Sequence, residues 1–265
     1  MSYQMIQVHQ QSGLCRITLN RPDKRNALHP QLIGELIEAF TAAGNDPHCA
    51  VILLTGAGTA FCAGLDLEHL QSLEHKTPAE HHADSARIAE LFLALYDCPK
   101  PTIAAVNGAA IAGGCGLATL CDFTLAVPRA KFGYTEVRIG FIPAIVSSFL
   151  RAQIGEKQAR DLLLTGRIVE APEALALGLV HRIVEPEELL PASVALAAEL
   201  LKNSPEAIAA TKRLLRDQTR AALDAEITAA IQANADARLT ADFREGIRAF
   251  LEKRPPEWPS LKLNS

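Results

Sequence analysis

Two glycine turns, each before the start of a helix, are the segments of this sequence best suited to chemistry. One lies at residues 61–67 and the other at residues 111–117, shortly after an apolar strand pattern at 102–106. Glycines at such turns let backbone N–H groups approach a ligand closely, and a helix N-terminus adds partial positive charge. Two turns of this kind can direct two N–H groups at one developing oxyanion. The alternative is two structural turns that need positive φ values.

Composition and charge limit the class of protein. The 265 residues, 49% hydrophobic and 21% charged with a net charge of -4, are typical of one large domain or a core with a helical appendage. The acidic balance argues against a nucleic-acid or anionic-membrane partner. No apolar run approaches the roughly 20 residues of a membrane helix, and the first residues lack the pattern of a signal peptide. The six cysteines form no CxxC pair, so we expect reduced, mostly buried thiols, no metal site and a cytoplasmic location.

Hydrophobic periodicity predicts an α/β fold with substantially parallel strand pairing. Alternation indicates a β-hairpin at 5–9 and 14–19. Further strands are predicted at 50–56, 102–106, 123–127 and 180–184. Helices are predicted near 32–40, 78–96, 156–164 and 172–177.

The pattern becomes almost entirely helical after Pro186. The predicted helices are 189–202, 205–217, 221–237 and 241–252. We therefore place a boundary near residue 200, between a core at 1–200 and a C-terminal helical region at 201–265. The alanine-rich faces of this region pack on a core of their own or between subunits, and we expect the second for at least part of the region.

Short motifs in a fixed order resemble those of the enoyl-CoA hydratase/isomerase (crotonase) family over nearly the whole chain. They lie at residues 20–28, 63–67, 101–108, 132–143, 164–180 and 249–254. The resemblance implies a crotonase-like spiral of ββα units with a helical C-terminal oligomerisation region, assembled as a homotrimer or a dimer of trimers. It also implies an acyl-CoA thioester substrate and no metal or redox cofactor. Coenzyme A is counted as part of the substrate.

The same resemblance assigns roles to individual residues. It implies that the backbone N–H groups of Leu65 and Gly113 hold the thioester oxygen. It also implies that Glu136 carries the proton, which a carboxylate can do when burial raises its pKa toward neutrality. The residues implied in contacts with coenzyme A are Lys24, Arg25, Ala63, Asp66, Leu67, Phe250 and Lys253. Solvent-facing charge is the alternative for Lys24, Arg25 and Lys253, and a solvated loop carboxylate is the alternative for Glu136.

One departure from the family pattern bears directly on the reaction. Hydratases of the family carry a second glutamate on the helix after the glycine turn, where this chain has Gly116. A second departure, at residues 144–147, predicts a tighter and more apolar wall. The candidates for a replacement acid are Glu68, Glu74 and Asp84, each of which is also explained as an exposed charge. We interpret Asp122 as a structural hydrogen-bonding partner.

Three functions remain open from the sequence. The best single hypothesis is hydration of a 2-enoyl-CoA to a 3-hydroxyacyl-CoA. The alternatives are an enoyl-CoA double-bond isomerase that uses Glu136 alone, and a non-catalytic relative that binds coenzyme A or RNA. If the protein is an isomerase, Gly116→Glu is expected to raise water addition.

Overall fold

The computed structural model describes residues 3–262, which form two sheets surrounded by helices. The strands are β1 (Ile6–Gln11), β2 (Leu14–Leu19), β3 (Val51–Gly56), β4 (Ala60–Cys62), β5 (Thr102–Val106), β6 (Ala109–Ile111), β7 (Phe123–Ala126), β8 (Lys131–Gly133), β9 (Ile168–Glu170) and β10 (Arg182–Ile183). The α-helices are α1 (Pro30–Asn45), α2 (Leu67–Ser72), α3 (Pro78–Tyr96), α4 (Gly113–Leu120), α5 (Ala144–Thr165), α6 (Ala171–Ala176), α7 (Leu189–Leu200), α8 (Pro205–Asp217), α9 (Arg220–Ala237), α10 (Ala241–Leu251) and α11 (Pro259–Lys262). Short 3₁₀ helices lie at Pro22–Lys24, Glu136–Ile139 and Pro186–Glu188.

The larger sheet has the strand order β1-β2-β3-β5-β7-β10. Strands β1 and β2 form the predicted antiparallel hairpin, and every other pair in this sheet is parallel. All five residues of β5 and the first five of β3 are buried. Such continuous apolar runs are typical of parallel strands that are covered on both faces. The sequence prediction of the hairpin and of parallel pairing is confirmed.

The smaller sheet, β4-β6-β8-β9, completes the spiral of ββα units. The order strand, strand, helix recurs four times, beginning at β1, β3, β5 and β7. In each of the last three units the first strand joins the larger sheet and the second joins the smaller one. Both glycine turns therefore follow a strand of the smaller sheet, β4 or β6.

Helix α3 forms one wall of the site described below, and its start is well defined. The Thr77 side chain accepts a hydrogen bond from the Glu80 N–H, and the Glu80 side chain accepts one from the Thr77 N–H. This capping box satisfies two donors that would otherwise lack a partner at the helix end. The predicted bounds, 78–96, are those found.

The C-terminal helices share the core of the spiral. Helix α9 packs against α3 and α5. Its buried residues Leu223, Ile227 and Ala230 belong to the same hydrophobic cluster as the residues of β3 and β5. The division near residue 200 stays a prediction, and residues 1–2 and 263–265 of the two predicted regions lie outside the described part of the chain.

Two further expectations concern cysteines and long helices. All six cysteines are buried and free of disulfides, as predicted. Helix α5 begins at Ala144, twelve residues before the predicted start, and is interrupted at Gly155, whose φ of 77° is not helical. None of the helices within residues 3–262 has the length and hydropathy that crossing a membrane requires.

Candidate active site

The two glycine turns and Glu136 line a single cavity of about 510 Å³. Its walls are largely apolar, with side chains from α3, α5 and the segment after the second 3₁₀ helix. Mostly apolar cavities with a few convergent polar groups are the usual form of a small-molecule site. The structure therefore brings together three sequence-predicted elements that are separated by up to 71 positions, Leu65, Gly113 and Glu136.

The first glycine turn directs the Leu65 N–H away from Leu28, and Leu65 lines the cavity. Leu28 donates its N–H to the Gly64 carbonyl at 2.8 Å, and Asp66 donates its N–H to the Leu28 carbonyl at 3.2 Å. In such a parallel bridge the intervening residue directs its own N–H to the opposite side. Asp66 then caps α2 by accepting from the Glu68 N–H at 3.0 Å, which fixes the turn.

The second turn supplies the Gly113 N–H. Gly113 is the first residue of α4, so its N–H has no acceptor within the helix. The preceding residue, Ala112, has φ 52° and ψ -127°, a conformation that costs a non-glycine residue about 1–3 kcal/mol. Such strain is typical of functional sites, where it holds a backbone group in a required direction.

The glycines allow the two turns to touch. A Cβ atom at Gly64 would lie 2.8 Å from the Ala112 Cβ and 3.6 Å from the Gly113 nitrogen. A Cβ at Gly114 would lie 2.3 Å from the Cys62 carbonyl oxygen. Only glycine permits this approach, and it places the backbone beside Leu65 next to the Gly113 amide. The role of these two amides as oxyanion donors stays a prediction.

Glu136 is held at the cavity wall with one oxygen free. It begins the 3₁₀ helix Glu136–Ile139 and is 8% exposed. Its Oε2 atom is buried without a hydrogen-bond partner among the described residues. Burial raises the pKa of the carboxyl group to about 7, so both protonation states are accessible near neutral pH. A carboxyl group in this condition can act as a general acid or base.

Apolar side chains occupy the place of a second carboxylate. A Cβ at Gly116 would lie 2.6 Å from Val146 Cγ1 and 2.8 Å from Phe92 Cε1. Within residues 3–262, Glu136 is the only carboxylate that lines the cavity. The expectation that Gly116→Glu raises water addition stays a prediction, and the overlap of the new side chain with Val146 and Phe92 argues against it for the single substitution.

The three candidate replacement acids do not line the cavity. Glu68 pairs with Lys24 at 2.7 Å and its side chain is 72% exposed. Glu74 is exposed near the end of α2. Asp84 pairs with His69 at 2.8 Å and with Arg238 at 2.6 Å. Each carboxylate is thus a surface or structural charge.

We expect Gly116→Glu to lower the free energy of unfolding by about 1–3 kcal/mol and to leave hydration no faster, because the added atoms overlap Val146 and Phe92. In a chain of this size, each kcal/mol lowers Tm by about 2–4 °C. Gly34→Glu is the matched control, since a Cβ there has its nearest neighbour at 3.5 Å. Thermal unfolding checks the result, and faster hydration at unchanged Tm would contradict it.

The residues predicted to contact coenzyme A divide into two groups. Those that line the cavity are Arg25, Ala63, Leu67 and Phe250. Lys24, Asp66 and Lys253 do not line it: Lys24 pairs with Glu68, and Asp66 pairs with Arg21 at 3.0 Å and caps α2. Asp66 is therefore a structural residue of the first turn.

Several cavity residues were missing from the sequence prediction. They are Arg138, Phe141, Asn234 and Arg254. Arg254 belongs to the motif at 249–254, which was a usable signal, whereas Asn234 lies in the middle of a helix without any motif. The position of Asn234 in the cavity depends on how α9 packs against α3.

Asp122 has the predicted structural role. It accepts hydrogen bonds from the Thr102 N–H at 2.8 Å and from the Thr102 hydroxyl at 2.9 Å, and it pairs with Lys212. These contacts join the start of β5 to the end of α4 and to α8. The carboxylate thus anchors the strand that leads toward the second glycine turn.

Comparisons with known proteins agree with this geometry. A family model described as enoyl-CoA hydratase/isomerase matches residues 9–261. A putative enoyl-CoA hydratase of Thermus thermophilus is 46% identical over 96% of this chain and all of the relative. A crotonyl-CoA hydratase of Syntrophomonas wolfei is 36% identical over 96% of this chain and 97% of the relative.

The comparison with a solved structure shows that the fold is shared as well. An enoyl-CoA hydratase/isomerase from Pseudoalteromonas atlantica superposes with a TM-score of 0.86 at 31% identity, over 96% of this chain and all of that chain. The sequence matches and the shared fold extend over both glycine turns and Glu136. The chain belongs to the enoyl-CoA hydratase/isomerase family.

Proposed function

We propose that this protein hydrates a 2-enoyl-CoA to a 3-hydroxyacyl-CoA. One observation carries the proposal: Glu136, whose Oε2 atom is buried without a partner among the described residues, lines the same cavity as Leu65 and Gly113 of the two glycine turns. Relatives named as hydratases at 46% and 36% identity support it.

The two amides stabilise charge on the thioester oxygen. When water adds to carbon 3 of the enoyl group, electron density moves through carbon 2 to this oxygen and forms an enolate. Fixed N–H donors in a site that excludes water stabilise the enolate without reorganisation. Because they bind the developing oxyanion more strongly than the neutral carbonyl, they accelerate the reaction and do not merely bind substrate.

Glu136 carries out both proton transfers of the reaction. The ionised carboxylate takes a proton from the attacking water, whose hydroxyl group bonds to carbon 3. The resulting carboxylic acid gives that proton to carbon 2 and returns to its ionised form. A carboxyl pKa of about 7 suits both steps, since neither protonation state is strongly disfavoured.

Double-bond isomerisation is the second candidate, and the filled position beside Gly116 favours it. Moving a double bond from the 3,4 to the 2,3 position needs one base. Glu136 would take a proton from carbon 2 and return it to carbon 4 of the same enolate. No water has to be positioned, which matches an apolar wall formed by Val146 and Phe92.

The two reactions are separated by assays on two substrates. Crotonyl-CoA loses the absorbance of its conjugated thioester when it is hydrated, whereas a 3-enoyl-CoA gains it when it is isomerised. Rapid loss with crotonyl-CoA supports the hydratase. Constant absorbance with crotonyl-CoA and a gain with the 3-enoyl-CoA would establish the isomerase, and tight binding of coenzyme A esters without turnover of either would favour a non-catalytic protein.

We expect kcat/KM for hydration to rise with pH and to level off above an apparent pKa of about 7. The reason is that the free enzyme must carry Glu136 ionised before it can accept a proton from water. Initial rates at limiting crotonyl-CoA over a series of buffers check this result. A profile that falls as pH rises through 7 would show that Glu136 enters the reaction protonated. It would contradict the proposed order of proton transfers by a single carboxylate.

We also propose contacts for the coenzyme A portion of the substrate. Arg25 and Phe250 line the cavity from opposite ends of the chain and are placed to contact it. Lys24 and Lys253 lie beside them in sequence and could add charge for phosphate groups. Glu136 and the two amides balance every proton and charge of the reaction, so we propose no cofactor besides the coenzyme A of the substrate.

A homotrimer or a dimer of trimers in the cytoplasm remains our proposal for assembly and location. Helix α8 has no buried residue, and its Leu214 and Leu215 are 61% and 60% exposed. Large apolar side chains on such a face are typical of subunit contacts. Sedimentation analysis of the wild-type protein tests the proposed assembly.

A further inference from the structure

Asn234 presents a hydrogen-bond donor to an otherwise apolar part of the cavity. It lies on α9, is 4% exposed and lines the cavity. Its Oδ1 atom accepts a hydrogen bond from the Ser85 hydroxyl at 2.8 Å and another from Arg238 Nη2 at 3.1 Å. Both acceptor positions of this oxygen are thereby used within the protein.

The contact with Arg238 fixes which way the amide points. A guanidinium group only donates hydrogen bonds, so the atom of Asn234 that faces Arg238 must be the oxygen. The Nδ2 group is therefore directed away from Arg238 and Ser85. It has no hydrogen-bond partner among the described residues. Since Asn234 lines the cavity, a ligand there is the natural acceptor.

The buried Arg238 guanidinium and its partners hold this amide in place. Arg238 also donates to Asp84 at 2.6 Å, and Asp84 in turn contacts His69 at 2.8 Å. The guanidinium lies 5.8 Å from the centre of the Phe141 ring, which lines the cavity. A donor fixed by such a network loses little conformational freedom when it binds an acceptor, so it discriminates between ligands effectively.

Helix α3 places Asn234 away from the reacting carbons. Its partner Ser85 precedes Phe92 by seven positions, which is two helical turns or about 10 Å. Phe92 borders Gly116 at the catalytic corner, and Ile88 lines the cavity between the two ends. The donor thus lies toward the far end of an acyl chain whose thioester is bound by the two amides.

We propose that Asn234 is a specificity-determining residue that donates a hydrogen bond to an oxygen near the far end of the acyl chain. The preferred substrates are then medium-length 2-enoyl-CoA thioesters that carry a carboxylate or carbonyl oxygen, rather than plain hydrocarbon chains. This proposal rests on the proposed function. A hydrocarbon chain would remove water from the Asn234 N–H groups and offer no acceptor, whereas an oxygenated chain replaces the lost hydrogen bond.

The test compares three 2-enoyl-CoA substrates of equal length that end in a methyl group, a methyl ester or a carboxylate. We expect wild-type kcat/KM to be about tenfold higher for the two oxygenated substrates. Asn234→Leu should remove this preference. Asn234→Asp keeps the oxygen that Ser85 and Arg238 bind, so it protects the fold, but it should also lose the preference, most strongly for the carboxylate, because like charges repel.

The control is Ile88→Val, which alters the same wall without a polar group and should change kcat/KM for the three substrates alike. Equal wild-type values for the three substrates, or an unaltered preference in both Asn234 variants, would overturn the proposal. A preference for the carboxylate alone, with the ester no better than the methyl chain, would assign the effect to charge and would overturn the role of the neutral donor.

Failure of the proposed function can be told apart from failure of this inference. If the wild-type protein hydrates none of the three substrates, the hydratase proposal fails. The dissociation constants of the corresponding saturated acyl-CoA thioesters, measured by calorimetry, still test the donor. Tighter binding of the oxygenated pair by wild-type protein, lost in Asn234→Leu and Asn234→Asp, supports the inference, and equal binding contradicts it.

Discussion

Replacing Glu136 by glutamine is expected to lower kcat/KM for hydration about 10³-fold. A carboxamide has nearly the same shape but cannot accept a proton from water or deliver one to carbon 2, and general acid–base catalysis contributes about 10²–10⁴-fold. Within residues 3–262, no other carboxylate lines the cavity to take over the role. Rates with crotonyl-CoA check this result, and activity within a few-fold of wild type would contradict the assignment.

The control for this variant is its affinity for a saturated acyl-CoA, measured by calorimetry. Butyryl-CoA cannot be hydrated, and in the proposed mechanism its thioester oxygen binds the amides of Leu65 and Gly113 and not Glu136. We therefore expect similar dissociation constants for the wild-type protein and Glu136→Gln. A large loss of affinity would indicate that the substitution disturbs the cavity, and the rate effect could not then be assigned to proton transfer.

The free energy of unfolding gives an independent measure of the raised pKa of Glu136. Burial raises the Glu136 pKa from 4.5 to about 7, so the folded protein holds this proton more tightly than the unfolded chain. The stabilising contribution is complete below pH 4.5 and is lost as pH rises through 7. Glu136→Gln should therefore gain up to about 3 kcal/mol relative to wild type above pH 7. Denaturant unfolding checks this gain. The prediction is contradicted if the free energies of unfolding of the two proteins differ by the same amount below pH 4.5 and above pH 7.

The parts of the fold that could be predicted are those with several residues of periodic sequence. Strands β2, β3 and β5 have five or six residues each, enough for an alternating or continuous apolar pattern. The strands of the smaller sheet have three residues each, which is too few to show a period. Strands β4, β6 and β8 each follow a strand of the larger sheet, which positions them side by side, and this is a tertiary effect.

The site divides in the same way between local and tertiary information. Gly64 and Gly113 stand in short motifs, so the turns could be recognised from the sequence. The absence of a second carboxylate was also visible at Gly116, but the overlap with Phe92 and Val146 was not, because these residues come from two other helices. A variant that restores one residue type does not restore a site whose space other side chains have filled.

A second large effect is expected when Gly113 loses its N–H. Gly113→Pro removes this donor at the first position of α4, where proline is well tolerated because the N–H has no partner within the helix. The preceding Ala112, with φ 52° and ψ -127°, lies outside the α region that proline disfavours in its predecessor and also outside the β region that it favours, so the Tm of this variant must show that it folds. If the amide holds the thioester oxygen, the loss of one oxyanion donor lowers kcat by about 10²–10³-fold.

Gly113→Ala separates the donor from the added bulk. Its Cβ would lie 3.3 Å from Leu28 Cδ1 and 3.8 Å from Phe92 Cζ, so alanine fits with a small adjustment and retains the N–H. We expect kcat/KM of the proline variant to be at least about 10²-fold below that of the alanine variant, with similar Tm values. Two folded variants with the same kcat/KM would show that the Gly113 amide is not a donor, since the N–H is the group that only one of them lacks.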